Sequence, residues 1–229
     1  MIKQNIFSFT ITSMVFYILA LGLAFATESN LPADRNFHKP EIQLHIKDLP
    51  NLPIKAAFNR LKSEEFIYHS DLLDHASSIA FGQRKKQSVD FALEIIRLPV
   101  REKIEDKEIN RFADFQVAKS ILQVFPNVAV QPLLNLYTDG EPTTKVNIIR
   151  ASGKIDHRRI DALLIEALDD TTFLEEVDPE VVGEPLRICD EAYNQIVLHF
   201  RIKNLPRTIG NATSIEDRDS YIKALQNLF

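Results

Sequence analysis

The sequence has no tryptophan, one cysteine, two methionines and only six glycines in 229 residues. With Cys189 alone, an intrachain disulfide is impossible, so stability must come from packing. So few glycines leave little material for the tight turns of an all-β chain and favour helices. Also missing are C-x-x-C, H-E-x-x-H, G-x-S-x-G and any glycine-rich phosphate loop, so no motif-defined metal, hydrolase or nucleotide site is written in the chain. An excess of positive charge is absent too: the formal net charge is −5. Such a chain has no general attraction to phosphate backbones or anionic lipid, although a local basic face remains possible. What is present, 45% hydrophobic and 26% charged residues, suffices for a core without staples.

The N-terminus carries an address. Lys3 precedes an apolar stretch from Met14 to Phe25, and Ala24-Phe25-Ala26 forms a small-x-small site. Residues 1–26 therefore read as a secretory signal peptide, and the mature protein as exported, periplasmic or extracellular. The apolar stretch falls short of the ~20 residues that span a bilayer. No membrane span is expected after cleavage; a retained N-terminal anchor is the alternative. Residues 27–53 are punctuated by Pro32, Pro40, Pro50 and Pro53, which predicts an extended lead-in. Gln43 to Lys47 alternates like a strand but has no evident partner.

From Ile54 onward the spacing is helical. Ala118/Ile121/Phe125, Ile148/Ala151/Ile155 and Cys189/Ala192/Ile196 each lie on one helical face. The second triple follows the first after about 30 residues and the third follows after about 41 more, a period that signals stacked repeats. Between them, Val130/Leu133/Leu134/Tyr137 recur as Ile160/Leu163/Leu164/Ala167. Ile121, Ala151 and Ala192 are expected to be equivalent buried positions, with Leu134 and Leu164 buried between them. A partial copy, Ser88/Phe91/Ile95, predicts a degenerate first unit whose second helix would cover Val100 to Ile109. Pro142 suits a helix's first turn; Asp156 is expected to cap the helix from Ile160 to Leu168. Gly183-Glu184-Pro185 repeats the boundary Gly140-Glu141-Pro142. Ser214 to Asp217 reads as a capping box opening a terminal helix. Fold class follows: all-α, helical hairpins in a stack.

Lys145 to Ile155 resembles the first helix of a HEAT repeat, ending in Gly153-Lys154-Ile155, and Ile160 to Asp170 resembles the second. The resemblance runs over about residues 114–200 and matches the shorter variety of HEAT unit. It implies a right-handed α-α superhelix over residues 54–229, its second helices lining a concave side, used to hold other proteins.

Candidate chemistry is sparse. His69, Asp71, Asp74 and His75 cluster, with Asp71 and His75 on one helical face, but a third ligand is missing and the reading is a solvated surface. Lys145, Arg150, Lys154, Arg158 and Arg159 form a basic cluster. HEAT-like DNA glycosylases use such surfaces, yet an exported acidic chain argues against nucleic acid. No catalytic, cofactor or metal residues are expected. The stretch between Asp169 and Glu184 is an acidic insert with Asp170, Glu175, Glu176, Asp178 and Glu180 and no basic residue. A protein partner is expected to read this insert and the adjoining helix face: Arg158, Arg159, Asp161, Glu166, Asp169, Glu175, Glu176, Asp178 and Glu180. The alternative is that the arginines neutralise the insert. The expected function is a non-catalytic interaction scaffold; an enzyme, or an accessory domain of one, with a site assembled across repeats is the alternative.

Overall fold

Helical periodicity in the sequence becomes ten α-helices among the described residues. The structure is a computed structural model and describes residues 46–104, 107–174 and 183–229. Residues 1–26, read above as a signal peptide, the lead-in up to His45, and Glu175, Glu176, Asp178 and Glu180 lie outside the described residues. In chain order the elements are α1 (Ile54–Leu61), α2 (Glu64–Ile67), α3 (Ser70–Phe81), α4 (Lys85–Ile96), β1 (Arg101–Ile104) and β2 (Lys107–Asn110). There follow α5 (Phe112–Val124), α6 (Pro126–Asp139), α7 (Pro142–Ser152), α8 (Arg158–Glu166), α9 (Ile188–His199) and α10 (Ile215–Gln226). A compact unit begins at Ile46, earlier than the sequence implies. Ile46 and Leu49 are buried and a 3-10 turn covers Leu49–Asn51, so the end of the lead-in packs instead of running extended to Pro53.

Helices α5 to α9 each rest on the one two places before. Helix α5 packs on α3 and α4, α7 on α5 and α6, and α9 on α7 and α8. Helix α6 also touches α4, and α8 touches α6. Thus α3, α5, α7 and α9 follow one another in a first row, and α4, α6 and α8 in a second. All nine residues of the three triples are buried, at 6% exposure or less. Each buried isoleucine among them removes enough apolar area to contribute about 1.5–3 kcal/mol. Pro126 and Pro142 open α6 and α7, where a missing N–H leaves no hydrogen bond unmade. Ser214 caps α10 by accepting from the Asp217 amide at 3.2 Å.

Some expectations need correction. Leu134 is only half-buried, because α6 turns Ala129, Val130 and Leu133 inward and leaves Leu134 on the boundary. The cap of α8 is His157, whose Nδ1 accepts from the Arg159 amide, and not Asp156. The segment expected to hold a degenerate second helix is an antiparallel hairpin pairing Arg101 with Asn110. Arg111 pins it by donating to Pro99 O at 3.1 Å and Glu102 at 2.8 Å. Helix α4 therefore belongs to the second row. It buries Ser88, Val89, Ala92, Leu93 and Ile96 and leaves Phe91 and Ile95 half-buried. Asn147 of α7 donates to Ile96 O and Leu98 O, occupying carbonyls at the α4 terminus. Pro185 does not open a helix as Pro142 does, since α9 starts at Ile188.

A buried polar knot fixes the C-terminal end. Asp190, fully buried, accepts from the Arg187 amide and guanidinium and from Arg218 Nη1 at 3.0 Å. Arg218, also fully buried, donates further to Thr213 O, Pro185 O, Glu184 O and Asn211 O. One guanidinium therefore ties the residues just after the acidic insert to the loop before α10. Gly183 sits at φ 121°, and a Cβ there would lie 2.1 Å from Asn211 O, so only glycine fits.

Two buried groups, Cys189 and Tyr193, and the half-buried Tyr137 resist ionisation. Burial, reinforced by the Asp190 charge, pushes the Cys189 thiol from its ordinary 9.0 up to about 12. Burial likewise pushes Tyr137 and Tyr193 up to about 12, with Asp170 and Glu166 adding for Tyr137 and Tyr221 for Tyr193. The folded protein holds these protons more tightly than the unfolded chain does, so the stability they lend is present below pH 9.0 and lost as pH rises towards about 12. Thermal midpoints measured from pH 8 upward should fall progressively across that window; a flat profile would contradict the burial of these groups.

Candidate functional site

Residues that follow the centres of the three matched triples meet in one cleft. The residues three after those centres are Val124, Lys154 and Gln195; Val124 and Gln195 sit one turn further along their helices, and Lys154 in the turn after α7. All three line a cleft of about 680 Å³ that crosses the first row of helices. Helix α3 supplies Asp71 and Asp74 at one end, and α5 supplies Lys119 and Gln123. Gly153 and Lys154 come from the turn after α7, and Leu198, His199 and Arg201 from the end of α9. None of the lining residues comes from the second row.

Local chemistry holds these side chains in place. Gly153 and Gln195 meet closely: a Cβ on Gly153 would lie 2.0 Å from Gln195 Oε1, so the Gln195 side chain would have to move aside. Gln123 donates to Ala151 O at 3.1 Å, tying α5 to the end of α7. His199 Nδ1 stands 3.0 Å from Gly153 O and its Nε2 lies 3.6 Å from Asp161 Oδ1. That carboxylate oxygen is buried and has no hydrogen bond. The imidazole thus links α9, the α7 turn and α8 beneath one wall of the cleft. Arg201 has φ 52°, a left-handed conformation in which a side chain costs about 1–2 kcal/mol. It occupies the position after a helix end where glycine is usual: the Ile202 amide donates to Val197 O at 3.1 Å and closes the terminus.

The charges are unevenly satisfied. Arg150, behind the cleft, donates to Glu191 through Nε at 3.1 Å and also through Nη2. Asp74 is raised above the ordinary carboxylate range by burial, against a hydrogen bond from Ser120 and the Lys154 charge. Lys119 is held below the ordinary lysine range by burial first and then by repulsion from Lys154. Lys119, Lys154 and Arg201 make no ion pair within 4.0 Å among the described residues. Of the lining groups, Asp71 and Asp74 belong to the cluster weighed above for metal, and Lys154 to the basic cluster.

The residues expected to meet a partner are distributed differently. Arg158, Arg159, Glu166 and Asp169 are exposed. Arg159 donates to Gln131 at 2.6 Å, and Asp169 accepts from Gln226 at 2.9 Å. Asp161 turns away from them towards His199. The four acids from Glu175 to Glu180 fall outside the described residues, so the pairing of the insert with Arg158 and Arg159 is not on view. Lys119, Gln123, His199 and Arg201 escaped the sequence reading because each is a single polar residue flanking an apolar stripe.

No family model, curated protein or solved structure matches the chain. Among the described residues no helix is long and apolar enough to cross a membrane. No group of three or more His, Cys, Asp or Glu side chains is placed to hold a metal ion among them either.

Proposed function

We propose that this protein is a non-catalytic interaction scaffold that acts outside the cytoplasm: an α-solenoid whose first helical row carries the binding surface. The apolar stretch before Ala26 and the small-x-small site support export. The row-on-row packing of α3 to α9 and the matched buried triples support the solenoid. One observation carries the binding role. An open cleft runs across four successive first-row helices and is lined at positions that follow the centres of the matched triples, three of its cations making no ion pair among the described residues. A surface built this way reads an extended partner, one repeat per segment. The described residues of the cleft include no hydroxyl or thiol nucleophile beside a base, the arrangement nucleophilic catalysis requires. Photocrosslinking from Gln123 in the cleft, set against Ala162 on the exposed side of α8, tests the reading. Gln123 should capture the partner and Ala162 should not.

A further inference from the structure

We propose that the cleft takes an acidic peptide segment, seated between Lys119, Lys154 and Arg201. This rests on the scaffold reading and names the partner's chemistry. The cleft has an electrical direction: Asp71 and Asp74 stand on α3 at one end, and the cations follow on α5, the α7 turn and the end of α9. Among the described residues three cations of the cleft make no ion pair within 4.0 Å, and Lys119 is desolvated and repelled by Lys154, with the Asp74 and Glu191 charges offsetting this in part. A bound carboxylate relieves both terms, because an opposite charge within ~4–6 Å favours the charged ammonium.

Arg201 supplies an independent argument. Its backbone is left-handed, the geometry in which glycine is unstrained, yet an arginine stands there with its side chain in the cleft. Strain of this kind persists where surrounding structure overrides it and gathers at binding sites. Val124 and the exposed Leu198 provide apolar contact beside the cations, which an inorganic anion would not use and a peptide side chain would. A polyanion such as nucleic acid would be repelled by Asp71 and Asp74 and by the net charge of −5. The occupant that fits is a peptide with acidic residues over the cations and a neutral or basic residue near α3.

The test is fluorescence anisotropy of the full chain at low salt with three probes: a short peptide alternating glutamate and leucine, its lysine counterpart, and an oligothymidylate. The glutamate peptide should bind most tightly. Lys119→Gln and Arg201→Gly should each weaken it about tenfold or more, while Lys86→Gln on exposed α4 changes nothing. Arg201→Gly should also keep or raise the thermal midpoint, since it relieves the left-handed strain. That separates lost binding from lost folding. Unchanged affinity in both cleft variants overturns the assignment, and so does tighter binding of the oligothymidylate. Preference for the lysine peptide overturns it while leaving the scaffold reading intact. If neither peptide binds and crosslinking from Gln123 captures nothing, the scaffold reading falls with it.

Discussion

Replacing Asp190 by alanine should lower the unfolding free energy by about 3–5 kcal/mol. Its carboxylate is the common acceptor for two guanidinium groups, and Asp190, Arg187 and Arg218 are all 4% exposed or less. Removing it leaves two cations in a space from which water is excluded. The opposite change, Asp219→Ala, takes the second carboxylate from Arg187 at a site 58% exposed and should stay within about 1 kcal/mol. The contrast matters because Arg218 gathers the carbonyls of Pro185, Glu184, Thr213 and Asn211. Its release would loosen the last helix together with the residues after the acidic insert. Urea unfolding of the two variants decides the point; equal losses would mean that the knot is open to solvent.

Leu164→Ala should cost about 2–5 kcal/mol, the range for buried leucines. Leu164 is fully buried on α8, which packs on α6 and α9. Arg158→Ala, one turn and a half earlier on the exposed side, should fall within about 0.5 kcal/mol. The same comparison between Leu133, fully buried, and half-buried Leu134 should favour Leu133 as the costlier deletion. If Arg158→Ala proved the more damaging of its pair, the register of the second row would be wrong.

These residues also show what the sequence made legible. Nine apolar positions in three matched triples located the buried face of α5, α7 and α9, because burial imposes the 3.6-residue period regardless of neighbours. The same rule failed at α4. There the apolar residues admit two faces, and the choice between Phe91/Ile95 and Ala92/Ile96 is made by packing on α5 and α6. The hairpin at Arg101 to Asn110 was hidden because its strands are charged and held by Arg111, a contact between residues with no shared period. The cleft was half legible. In the sequence Asp71 and Asp74 stood out in one cluster and Lys154 in another with nothing to join them, and Arg201 depends on a helix terminus closing without glycine, which no spacing announces.

The most direct measurement is photocrosslinking in the protein's own compartment, with a photoreactive residue placed at Gln123 or at Ala162 in otherwise unchanged protein. Gln123 lines the cleft of the first row, whereas Ala162 is exposed on α8 among Arg158, Arg159 and Glu166. The account predicts a discrete adduct from Gln123 that disappears in Arg201→Gly, and none from Ala162. An adduct from Ala162 alone would place the partner on the arginine face of α8 and contradict the cleft as the binding surface.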